Sequence, residues 1–194
     1  MEKDWKGNKK STFVTLGASA HSEGEREEMD FYATEPNAAK LLLELETFNK
    51  NVWECACGEG HLSKVFKEYG HIVKSTDVVD RGYGSILDFL KNNTTFDGDI
   101  ITNPPYKYAQ EFVEKALSCV KDGAKVAMFL RIQFVEGKKR KEFIKNNPIK
   151  TIYVSSSRLQ CGKNGVFEGS SAACYAWFIW QKGYNGETII KWFN

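Results

Sequence analysis

Four consecutive residues, Asn103-Pro104-Pro105-Tyr106, join an amide, two rings that stiffen the backbone and an aromatic side chain. The Asn103 carbonyl oxygen, with the Pro104 backbone carbonyl, can accept two hydrogen bonds from a planar amino group. Those bonds draw the nitrogen lone pair out of conjugation and make it nucleophilic. The Tyr106 ring can stack on a flat heterocycle, with Pro105 beside it on the substrate side. The chemistry this pattern suits is activation of an exocyclic amine. A bare Pro-Pro turn would need no such explanation; the Asn before it and the Tyr after it favour the chemical reading.

Other chemistry-bearing residues precede this loop in order. Glu54-Cys-Ala-Cys-Gly58-Glu-Gly60 places an acid before two glycines, which let the backbone approach a ligand closely. Asp77 follows at about the spacing, roughly 20 residues, at which an acidic side chain meets ribose hydroxyls in related folds. Asp80 is its rival. Asp88-Phe89 comes next. Upstream, Thr34 and Pro36 read as a capped helix start, with Tyr32 nearby.

Stepping outward from these residues, the elements that carry them alternate. Asp99 to Thr102 is apolar and β-branched, and reads as a buried strand that the two prolines end. Asn51 to Glu54, His71 to Asp77, Lys125 to Arg131 and Ile149 to Ser155 read as further strands, and Gly82-Tyr83-Gly84 as a flexible link to Ser85–Phe89. Helices are expected from Leu62 to Tyr69 and from Tyr108 to Val120, the latter with Phe112, Val113, Ala116, Leu117 and Val120 at helical spacing. Ala172 to Gln181 and Thr188 to Phe193 read as strands joined by a Gly183–Gly186 turn into a C-terminal antiparallel hairpin. Strands alternating with helices predict an α/β domain over 30–194, mostly parallel and doubly wound, behind a polar, partly disordered arm at 1–29.

The motif order resembles that of class I S-adenosylmethionine (SAM) methyltransferases of the Rossmann-like type. Glu54-x-x-x-Gly58-x-Gly60 is similar to their first motif, and Asn103-Pro104-Pro105-Tyr106 to the catalytic motif of those that methylate amines. A dinucleotide fingerprint would want Gly or Ala where Ser63 stands. The resemblance is closest to small DNA adenine-N6 methyltransferases, versions of which occur in phages and prophages. It implies that Thr34 and Tyr32 lie at the methionine end of SAM, although a Thr-Pro pair is here interrupted by Glu35. It further implies Glu54, Gly58, Gly60 and Asn103 around the cofactor, Asp77 on the ribose, Asp88-Phe89 at the adenine, and Asn103, Pro104 and Tyr106 in catalysis. The related enzymes also leave RNA bases and protein glutamine open as targets. An idle SAM- or nucleic-acid-binding module would show damage to Asn103, Tyr106 or the glycine loop, and all are intact.

Composition limits the rest. A hydrophobic content of 42% over 194 residues fits one core, and a net charge of +2 gives no global basic field, so nucleic acid would need a local patch. Candidates are Arg131 at a strand end, which could equally pair with a carboxylate, and Arg158, Lys163 and Asn164 in a polar loop at 156–171. The run Gly137-Lys-Lys-Arg-Lys reads by default as a solvated helix face and alternatively as a phosphate patch. No apolar run approaches the roughly 20 residues of a membrane span. Five cysteines at scattered spacing suggest reduced thiols in the cytoplasm and no metal site. No separate target-recognition domain is evident, so target choice is expected from 1–29, from 156–171, or from a protein partner.

Overall fold

The computed structural model describes residues 32–157, 161–163 and 173–193, with 32, 33 and 161–163 described by backbone alone. All fall in one compact unit, Phe31–Asn194. The arm expected over 1–29, and Arg158 and Asn164, lie outside the described residues.

Ile100 and Ile101 sit at the centre of the sheet because β-branched side chains fill a surface covered on both faces. Their strand, β5 (Asp99–Thr102), is buried along its whole length. Around it lie β2 (Asn51–Glu54), β3 (Ile72–Asp77), β4 (Ser85–Ile86), β6 (Lys125–Arg131), β7 (Thr151–Ser155), β9 (Tyr175–Gln181) and β10 (Ile189–Phe193), in the order β10-β7-β9-β6-β5-β2-β3-β4. A separate ribbon pairs β1 (Tyr32–Thr34) with β8 (Cys161–Lys163), antiparallel. From β2 the chain winds outward through β3 and β4, then returns to place β5 on the other side of β2. The gap above β2 and β5 is therefore the switch point of the sheet, where open α/β folds hold ligands.

Within the eight-stranded sheet, among the described residues, β9 alone runs against the other strands. It pairs antiparallel with β6 and with β7. The antiparallel C-terminal pair is thus β7 with β9. The hairpin expected between β9 and β10 does not form, because β10 crosses over and pairs with β7 in parallel. That leaves Trp192 67% exposed on the sheet edge, while Trp177 and Trp180 are core.

The helices are α1 (Pro36–Leu45), α2 (His61–Glu68), α3 (Ala109–Cys119) and α4 (Lys138–Asn146). Pro36 opens α1, its missing donor costing nothing at the first helical position. The N-cap is Glu35, with no side-chain cap bond, so Thr34 does not cap the helix as expected. Phe112, Val113 and Ala116 bury one face of α3. β4 is short: beyond Ile86 the Asp88 carboxylate turns the chain by accepting from the Leu90 amide at 3.1 Å. No helix among the described residues is long and apolar enough to cross a membrane.

Candidate active site

Each site residue owes its place to a strand end. Parallel strands bring their C-terminal ends to one edge, and that edge carries, in sheet order, Asp77 after β3, the glycine loop after β2, Asn103 after β5 and Arg131 after β6. Trp53 of β2 lies in register with Ile100 of β5, so the glycine loop and the Asn103 loop leave adjacent strands on the two sides of the switch point.

The Asn103 loop is held by burial on one side only. Thr102 and Pro104 are buried, Asn103 is half-buried and Pro105 is exposed. Pro105 is extended (φ −56°, ψ 120°), and its carbonyl accepts from the Tyr108 amide at 2.9 Å, starting a single 3-10 turn, Tyr106–Tyr108. The Tyr106 ring centroid lies 6.0 Å from that of Tyr175, which in turn stacks on Phe129 at 5.3 Å. The Arg131 guanidinium carbon lies 5.3 Å from the Tyr106 centroid. Arg131 thus borders the aromatic ring of the loop. Tyr175 was not expected at the site; it arrives because β9 is reversed, which pairs it with Arg131.

The glycine loop is equally specific. Gly58 and Gly60 are buried, with φ of +52° and +78°. The Gly58 amide donates to the Asp77 carboxylate at 2.8 Å, and the Val79 amide donates to its other oxygen at 3.0 Å. Asp77 therefore fixes the loop and keeps further lone pairs for hydroxyl donors. Asp80 instead receives the Gly82 amide in an exposed turn. Tyr83, read as part of a flexible Gly82–Gly84 link, packs its ring onto Gly60. A Cβ added to Gly60 would meet that ring at 2.4 Å.

Glu54 is 2% exposed and accepts from the Ser63 hydroxyl, which is itself 2.6 Å from the Ser75 hydroxyl. Burial, offset in part by the Ser63 bonds, pushes its carboxyl up to about 8. At neutral pH the acid is mostly neutral. Its folded value lies above the unfolded one, so the fold binds the extra proton between about 4.5 and 8 and loses stability as pH rises through that window. Glu54→Gln removes this loss. Urea unfolding should show equal stability near pH 5 and a variant more stable by a few kcal/mol near pH 8, on the order set by the shift. Equal pH slopes in the two proteins would contradict the buried neutral acid.

Asp88 and Phe89, expected at the adenine, have protein partners of their own. The Asp88 carboxylate caps its own turn and pairs with Lys91 at 3.0 Å; the Lys91 bond holds its pKa below the usual value. Phe89 is core: its ring meets Trp53 edge-on at 5.2 Å and Phe112 at 5.2 Å. Thr34, by contrast, is 2% exposed and its hydroxyl has no hydrogen-bond partner among the described residues. The Lys163 backbone lies opposite Tyr32 in the β1–β8 ribbon. A cleft of about 570 Å³ runs along β3 and β4, lined by Lys67, Ser75, Tyr83 and Thr94 among others; the Asn103 loop is not part of it. Burial raises the Cys57 thiol to about 12 and the Cys55 thiol well above its usual value, so neither is a thiolate at neutral pH. Among the described residues no three His, Cys, Asp or Glu side chains group as metal ligands.

The fold is that of class I SAM-dependent methyltransferases. A candidate RNA methyltransferase from Pyrococcus horikoshii superposes with a TM-score of 0.58 at 17% identity, over 90% of this chain and 99% of that one. A TehB-like SAM-dependent methyltransferase from Corynebacterium glutamicum gives 0.53 at 10%, over 89% and 95%. The M protein of the type I restriction enzyme EcoKI gives 0.59 at 11%, over 82% of this chain and 45% of its own. No protein-family model and no curated protein matches the sequence.

Proposed function

We propose that this protein is a SAM-dependent methyltransferase that methylates an exocyclic amine of a nucleic-acid base, with adenine N6 in DNA as the first candidate. The observation that carries the reading is the Asn103-Pro-Pro-Tyr106 loop at the switch point, facing the glycine loop across adjacent strands. Two features fit SAM in particular. The buried Thr34 hydroxyl, without a partner among the described residues, awaits a polar group, and the loop after β2 turns through positive φ at Gly58 and Gly60. Thr34, Gly58, Gly60, Asp77 and the Phe89 amide would hold the cofactor. When bound, it supplies an electrophilic sulfonium methyl.

The chain's own part is alignment. The Asn103 amide oxygen and the Pro104 carbonyl accept from the two amine hydrogens, turn the lone pair toward the methyl and stabilise the charge that develops on nitrogen. Tyr106 holds the base by its face. The amine so held would take the methyl group that bound SAM supplies and pass its surplus proton to water, with the Asn103 and Pro104 oxygens keeping its hydrogens in place until then. Such positioning can supply on the order of 7–11 kcal/mol. A base in a duplex must be flipped out to reach the loop.

Nucleoside mass spectrometry tests this. The protein is incubated with SAM and, separately, unmethylated duplex DNA, single-stranded DNA and RNA, and each is digested. N6-methyladenine from a DNA sample is the expected result. Product from RNA alone would move the substrate and keep the chemistry. No methylated nucleoside, with SAM binding confirmed, would overturn the proposal.

A further inference from the structure

The first turn of α4 is built against a local electrostatic rule. A helix N-terminus carries partial positive charge and favours acidic residues. Here its first four positions are Lys138, Lys139, Arg140 and Lys141, and no acidic residue lies in the turn. Glu136 precedes it and Glu142 follows it, both exposed. Arg140 has a structural role. Its guanidinium carbon lies 4.1 Å from the centroid of Phe134, a core ring, and Glu111 and Glu114 of α3 attract it. Lys138, Lys139 and Lys141 are exposed. Three solvated cations therefore stand where they weaken the helix, a conflict expected where function compensates for it.

Their location gives the conflict a meaning. The turn Ile132–Val135 links β6 directly to α4, so the helix begins at the sheet edge that carries Asn103 and Arg131. Lys107, next to Tyr106 and exposed, lies at the same edge. The geometry points to a cationic track, from Lys107 past Arg131 to Lys138, Lys139 and Lys141, that holds the sugar-phosphate backbone while the Asn103 loop takes the base. This rests on the reading of the Asn103 loop as a base-amine site. Lysines on long stems suit phosphates, which position a nucleic acid without reading its sequence. The chain's small net charge makes such a local patch the available source of polyanion affinity.

The test is the triple variant K138Q/K139Q/K141Q, compared with wild type by fluorescence anisotropy on labelled duplex and single-stranded oligonucleotides across a salt series. Methyl transfer is followed in the same samples. The salt slope of the variant should be shallower by about two to three, and its affinity near 0.1 M salt weaker by roughly 10- to 100-fold. At saturating oligonucleotide its turnover should match wild type, and its melting temperature should be unchanged or higher, which a structural role for the lysines would not produce. Unchanged affinity and slope would overturn the track, as would a wild type that binds no polynucleotide. A salt-dependent complex that yields no methylated nucleoside would keep the track and remove the proposed activity. Methylated product with a variant that binds as wild type would do the reverse.

Discussion

Asn103→Ala should lower the rate of methyl transfer by about 10²–10³-fold while leaving SAM affinity within a few-fold. The size follows from what one preorganised dipole contributes to a developing charge in a partly dehydrated site. In the proposed mechanism the Asn103 oxygen is one of the two acceptors for the amine hydrogens, and its removal leaves the Pro104 carbonyl alone. The substitution should not unfold the loop. Pro104 is buried, Pro105 is held extended by its own ring, and the Tyr108 amide still bonds the Pro105 carbonyl. Single-turnover transfer gives the rate and calorimetric titration the SAM affinity. Wild-type rate in the variant would remove Asn103 from catalysis, and loss of SAM binding would recast it as a cofactor residue.

Gly60→Ala should damage cofactor binding through two separable costs. The backbone there is left-handed at φ +78°, a conformation that strains an alanine by roughly 1–2 kcal/mol. The new Cβ would also meet the Tyr83 ring at 2.4 Å. That ring is tied down, since its hydroxyl takes a 3.0 Å bond from the Lys67 ammonium and its face lies 5.2 Å from the same nitrogen. SAM affinity should fall by at least about tenfold, since each 1.4 kcal/mol is a factor of ten, and the melting temperature should fall with it. Adding Tyr83→Ala removes the collision and leaves the backbone strain, so the double variant should regain part of the affinity. A single variant with wild-type affinity and melting temperature would mean that the loop does not hold this conformation.

Much of the site was legible because its signals are local. Asn51–Glu54, Asp99–Thr102 and Lys125–Arg131 are strands with the expected ends, each closed by a glycine loop, a proline pair or a change of burial. Spacing left Asp80 as a rival of Asp77, and the structure puts Asp77 on the glycine loop and Asp80 in a surface turn. Other side chains have partners that residue type and spacing do not reveal. Asp88 has the right type and position for an adenine contact, and in the fold its carboxylate also accepts from the Leu90 amide and pairs with Lys91. Phe89 is drawn inward because Trp53 and Phe112 offer it a core site. Tyr83 carried one signal, the glycine on each side, whose positive φ values turn the chain so that the ring meets Gly60.

By itself the sequence determined the α/β class, the glycine and proline loops at the strand ends and the residue types they present, because turns, prolines and hydrophobic period act over a few residues. Tertiary structure decided the rest. It set β5 beside β2, and so made the switch point. It sent β10 to β7 in parallel and reversed β9, which delivers Tyr175 to Tyr106. It buried Glu54 with Ser63 and Ser75, and so kept an acid neutral. Strand order, desolvation and side-chain partners depend on which surfaces are packed together, and residues far apart in the chain settle that only when the core closes.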